Sequence, residues 1–134
     1  MMDMDVTLYA VDDNPSSRCH VAAVARSLGL PCQTYASAEE LLDAYDSSWC
    51  GCLLIDLHLP GIDGLQLQQR LVTLGCVLPV IFVTGAADLF RAVRAMENGA
   101  LMVLQEPCRA ETLAAAIQKA LKPAAALAGF SEVA

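Results

Sequence analysis

The chain has 134 residues, 56% of them hydrophobic, and a net charge of −7 with lysine only at positions 119 and 122. That length suits one well-buried core and not two. The acidic balance argues against direct nucleic-acid binding, which depends on Lys and Arg neutralising phosphates. No apolar run reaches the roughly 18–20 residues of a membrane span.

The start, Met1-Met2-Asp3-Met4-Asp5, is acidic and lacks the basic flank and apolar stretch of a signal peptide, so a cytoplasmic location is expected. Six cysteines, at 19, 32, 50, 52, 76 and 108, are then expected as reduced, structural thiols. Cys50-Gly51-Cys52 with His58 fits no usual zinc spacing.

An apolar run at 6–11 is followed at once by Asp12-Asp13. Val21, Val24, Ala25 and Leu28 then recur at helical spacing, closed by Gly29 and Pro31. A weaker run at 32–35 precedes Ser37 and Glu40, which make a capping box ahead of Leu41, Leu42 and Tyr45. The run 52–55 ends in Asp56. After the turn Pro60-Gly61-Ile62-Asp63-Gly64, a stripe of Leu67, Leu71 and Leu74 is stopped by Gly75. The run 80–83 ends in Thr84-Gly85 and leads to Leu89, Val93 and Met96, a stripe ending near Asn98-Gly99. The run 100–104 leads to Glu106-Pro107. Leu113, Ala116, Ile117, Ala120 and Leu121 mark a last helix, which Pro123 should end.

Four of the five runs are nearly continuous in hydrophobicity, the pattern of strands covered on both faces. Five strand-then-helix units predict an α/β fold: a flavodoxin-like, doubly wound five-stranded parallel sheet, order 2-1-3-4-5, with helices on both faces. Residues 1–122 form the domain in this reading, and the alanine-rich 123–134 a linker or C-terminal tail.

Such a sheet gathers the residues that follow its strands at one edge: Asp12, Asp13, Asp56, Thr84 and Glu106. Clustered carboxylates repel unless a cation neutralises them or their pKa values rise. Oxygen ligands open to water suit Mg²⁺. A metal-neutralised aspartate can attack a phosphoryl group, and a nearby hydroxyl can bond the transferred oxygens.

The order Val11-Asp12-Asp13, Ile55-Asp56-Leu57-His58-Leu59-Pro60-Gly61-Ile62-Asp63-Gly64, Val83-Thr84-Gly85 and Pro107 resembles the receiver domains of bacterial two-component response regulators, over about residues 5 to 121. Residues 79–85 and 92–100 are especially similar to the nitrogen-fixation regulator branch, whose members usually carry a DNA-binding helix-turn-helix domain after the receiver. The resemblance implies a signalling module rather than an enzyme, with Asp56 phosphorylated by a sensor histidine kinase. It implies Mg²⁺ held by Asp13, Asp56 and the backbone carbonyl of His58, with Asp12 acting mainly through a metal-bound water. Thr84 would sense the phosphoryl group and bias the surface of the fourth helix, fifth strand and fifth helix. The implied partners are the kinase and an output domain, as in transcription regulation, or a second receiver in a dimer. The acidic charge and the lack of a long apolar run lead to the expectation that the domain itself binds neither nucleic acid nor membrane.

Two positions depart from the family. The lysine before the strand-five proline is Glu106 here, and the Tyr or Phe switch three residues earlier is Val103. A second reading follows: a pseudo-receiver, binding its partner independently of phosphorylation because Glu106 disables the switch. A third, a metal-dependent phosphatase, is disfavoured because residue 58 is His where an acid/base carboxylate is needed and no substrate-capping insertion is present. Three features stay open between roles. His58 tunes the chemistry or is a solvated loop residue. Phe90, Val93 and Met96 form a partner face or join the core. Arg91, Arg94 and Arg109 form a basic rim or are ordinary exposed arginines.

Overall fold

A computed structural model describes the backbone of residues 6–85 and 88–129, with side chains up to residue 122. The opening acidic segment 1–5 and the end of the expected tail lie outside the described residues. Strands β1 (Thr7–Val11), β2 (Cys32–Tyr35), β3 (Gly51–Asp56), β4 (Val80–Thr84) and β5 (Met102–Gln105) alternate with helices α1 (Pro15–Ser27), α2 (Ala38–Ala44), α3 (Gly64–Thr73), α4 (Leu89–Glu97) and α5 (Ala110–Gly129). All pairings are parallel, in the order β2-β1-β3-β4-β5 expected from the sequence.

The continuous hydrophobicity of the inner strands has a direct cause. Side chains alternate faces along a strand, and both faces here are covered. Leu8, Ala10, Cys52, Leu54, Ile81 and Val83 pack with Val21, Val24 and Ala25 of α1 and Leu113, Ala116 and Ile117 of α5. Tyr9, Val11, Leu53, Ile55 and Phe82 pack on the other side with Ala38, Leu41, Leu67, Leu71 and Ala95 from α2, α3 and α4. β2 is an edge strand, exposed at Gln33 and Thr34, which explains its weaker apolar signal.

Helix ends follow local chemistry, with two departures from expectation. Asn14 caps α1 by accepting the N–H groups of Ser16 and Ser17, with Pro15 as the first helical residue. Ser37 caps α2 through the N–H of Glu40, but Glu40 reaches one residue past the cap, to the N–H of Ala36 rather than Ser37. The fully reciprocal box stands on α3, between Asp63 and Gln66. The second departure is α5, which continues through Pro123 to Gly129. A proline removes a single N–H from the helix ladder, and the alanines at 124–126 are the strongest helix formers.

Gly64 fixes how the β3–α3 loop returns to the sheet. A Cβ there would lie 2.6 Å from the Asp56 carbonyl oxygen and 2.8 Å from Leu57 Cα, both backbone atoms that cannot swing aside. Gly64→Ala is therefore expected to cost about 2–4 kcal/mol of stability. The measurement is urea unfolding, with a lower midpoint at unchanged slope.

Candidate functional site

β1 and β3 are neighbours in parallel register, Val11 beside Ile55, so the next residues of each chain, Asp12 and Asp56, leave the sheet side by side. Both fall on the strand parity of Ala10 and Leu54, the face shared with α1 and α5. Asp12 is 5% and Asp56 9% exposed. One carboxylate oxygen from each of Asp12, Asp13 and Asp56 lies within 4.8 Å of the others. A shallow cleft of about 320 Å³ is lined by these three with Ser17, His58 and Glu106, among others. The four acids expected at one edge do converge.

Thr84 is buried at the end of β4, the strand paired with β3, and is not among the residues lining that cleft. Its carbonyl accepts the Glu106 N–H at 2.8 Å, tying the end of β4 to the segment after β5. Val103 is half-buried against the α2, α3 and α4 side of the core.

The site is short of positive charge. Among the described residues, none of Asp12, Asp13, Asp56 and Glu106 has a Lys, Arg or His nitrogen within ion-pair distance. Arg18 is close, but its Nη1 donates to the backbone carbonyl of Asp12 at 2.7 Å. Burial is the main force raising the Asp56 carboxyl to about 7. The charges of Asp12, Glu106 and Asp13 add to it, against a lowering by the His58 N–H, which donates to Asp56 Oδ1 at 3.0 Å. Burial likewise raises Asp12, partly offset by the Asn14 N–H, and raises Glu106, with Asp12 adding and His20 opposing. Three close carboxylates, two of them buried and Asp13 open to solvent, fit a hard, oxygen-seeking divalent cation.

The cysteines offer no comparable cluster among the described residues. Burial pushes the Cys52 thiol up to about 12, which makes it an inert core residue. His58 is exposed, with Nε2 3.7 Å from Asp88. Phe90, Val93 and Met96, open between core and surface in sequence, are 70%, 46% and 47% exposed. The arginine rim is largely spent: Arg91 pairs with Asp63 and Asp88, and Arg94 lies near Glu97 and over the Phe90 ring. Sequence reasoning missed the Asp63–Arg91 bridge. No local pattern signalled it, because the partner, the cap of α3, lies 28 positions away.

The response regulator receiver domain family matches residues 8–118. The chain belongs to that family. This receiver is 36% identical over 122 residues to the response regulator protein TmoT of Ectopseudomonas mendocina, covering 91% of this chain and 56% of that one. It is 31% identical over 117 residues to the transcriptional regulatory protein FixJ of Bradyrhizobium diazoefficiens, covering 87% and 57% respectively. The solved structure of the response regulator StyR superposes with a TM-score of 0.83 at 33% identity, covering 89% of this chain and 60% of that chain. The resemblance to the nitrogen-fixation regulator branch stands. The receiver spans about half the length of the curated relatives it matches. Among its described residues no helix is long and apolar enough to cross a membrane.

The raised Asp56 carboxyl makes stability depend on pH. A carboxyl that titrates near 7 when folded and near 3.8 when unfolded binds more protons in the folded state between those values. Stability therefore falls as pH rises through that window. In metal-free protein, Asp56→Asn should stabilise more at pH 8 than at pH 5, by roughly 1–3 kcal/mol. Chemical denaturation at the two pH values measures it, and an equal effect at both would show that Asp56 titrates normally.

Proposed function

We propose that this receiver accepts a phosphoryl group on Asp56 from a histidine kinase, with Mg²⁺, and passes the change to an output domain or to a second receiver. The observation that carries this reading is the close approach of the Asp12, Asp13 and Asp56 carboxylates at a parallel sheet edge. Relatives named as transcriptional regulators support transcription as the output, and a cytoplasmic location goes with the same reading. Residues 1–122 are the signalling domain in this reading, and 123–134 the segment that leads away from it.

Asp13 and Asp56, with the His58 carbonyl, would hold Mg²⁺, and Asp12 would support it from the outer sphere. When bound, the metal supplies positive charge against the carboxylates and the transferring phosphoryl oxygens. An Asp56 oxygen attacks the phosphorus of the kinase phosphohistidine. The new O–P bond forms as the N–P bond breaks, and the electron pair stays on the imidazole nitrogen, which takes a proton. The His58 N–H, already on Asp56 Oδ1, orients the carboxylate for that attack. Thr84 would bond the transferred oxygens by moving toward them from the end of β4.

Intact mass after incubation with Mg²⁺ and a small acyl-phosphate donor tests the reading. The wild type should gain one phosphoryl group, Asp56→Asn none, and Asp13→Ala markedly less than wild type. An unchanged wild-type mass would favour the pseudo-receiver instead, a reading that Glu106 in the cleft supports.

Glu106 should make uptake slow. Relative to lysine it shifts the local charge by two units, and a unit pair at about 8 Å and an effective dielectric near 20 is worth about 2 kcal/mol. Glu106→Lys is expected to raise the rate of phosphoryl uptake about tenfold or more, allowing for screening. An unchanged rate would remove charge at this position from the account.

A further inference from the structure

Helix α4 is held to the protein by few groups. Of its nine residues only Ala95 is buried. Gln68 Nε2 donates to the Ala95 carbonyl at 3.1 Å, while the buried Gln68 Oε1 beside it has no hydrogen-bond partner among the described residues. The remaining tie is charged. Asp88 caps the helix by accepting the Arg91 N–H at 3.1 Å, and its Oδ2 also lies 3.3 Å from Arg91 Nε. Arg91 Nη1 donates to Asp63 at 2.9 Å, and Asp63 caps α3. His58 Nε2 stands 3.7 Å from the same Asp88 oxygen, and the His58 N–H donates to Asp56. A chain of contacts thus joins Asp56 to the caps of α3 and α4 without passing through Glu106 or Val103.

We propose that Arg91 is a positioning residue that couples phosphorylation of Asp56 to the placement of α4, through its shared grip on Asp63 and Asp88. The inference rests on the phosphoacceptor reading of Asp56. Phosphorylation adds about −1.5 to −2 charges at that residue. The added charge repels the Asp88 carboxylate and attracts the Arg91 guanidinium. Asp88 is the cap of α4 and Arg91 lies in its first turn. A change in how Arg91 divides between its two acids therefore moves that turn as a unit. Asp63 stays behind, locked to α3 by its reciprocal bonds with Gln66. One buried side chain offers little resistance to that movement. The exposed Leu89, Phe90, Val93 and Met96 ride on the helix, so the surface offered to a partner changes with the charge at Asp56.

The test compares wild type, Arg91→Ala, Arg91→Lys and Asp63→Asn, the last keeping a cap acceptor on α3. Intact mass gives phosphoryl uptake with Mg²⁺ and a small acyl-phosphate donor. Amide chemical shifts across residues 89–97, scaled to the phosphorylated fraction, give the response of α4. Uptake should stay within twofold of wild type in all three variants. The shift per phosphorylated molecule should fall at least threefold in Arg91→Ala and Asp63→Asn, and Arg91→Lys should recover part of it. Normal uptake with an undiminished shift in both weakened variants would overturn the inference alone. Absence of uptake in the wild type would overturn the phosphoacceptor reading and the inference with it, and the mass measurement separates the two failures.

Discussion

The parallel register of β1 and β3 is the constraint from which the rest of the site follows. Setting Val11 beside Ile55 forces Asp12 and Asp56 off the same sheet face at the same height, and Asp13 follows within reach. Desolvation and like-charge repulsion then act on the same oxygens. The sheet order makes this meeting unavoidable, because β1 and β3 flank the point where the winding reverses. From there α1 leaves along one face and α3 along the other, so the loops part and leave a cleft over the acids.

That cleft has a strongly acidic charge balance. Glu106 puts a fourth acid in the cleft, and burial together with Asp12 raises its carboxyl. The nearest arginine, Arg18, is turned to the Asp12 backbone rather than its side chain. A divalent cation is the natural counter-charge for such an arrangement.

Uneven packing matters for the readout. α1 and α5 bury several side chains each, and α3 buries Leu67, Gln68 and Leu71. α4 buries only Ala95 and shows a broad apolar face. A helix that buries one small side chain is among the less firmly packed elements of the structure, the kind that opens or shifts most readily. Its attachment is polar and sits at its N-terminal end, next to the acidic site.

Much of this is legible in the sequence. Continuous apolar runs separated by helical stripes determined a parallel sheet with two covered faces, and acids directly after the first and third runs determined which edge carries the chemistry. Asp12, Asp13, Asp56 and Glu106 were legible because strand periodicity is local and strand ends are marked by a polar residue. The outer face of α4 was not, since Phe90, Val93 and Met96 have the same helical spacing whether they face the core or solvent. Nor was the bridge from Arg91 to Asp63, whose partners lie on different helices. The extension of α5 through Pro123 was also hidden, because a proline signal is read one residue at a time while the helix is sustained by the alanines around it. The sequence by itself determined the fold and the acids at its edge, because those depend on short-range periodicity. Only the tertiary structure decided which charges meet across elements and which apolar face stays open, because those depend on how neighbouring helices settle against the sheet.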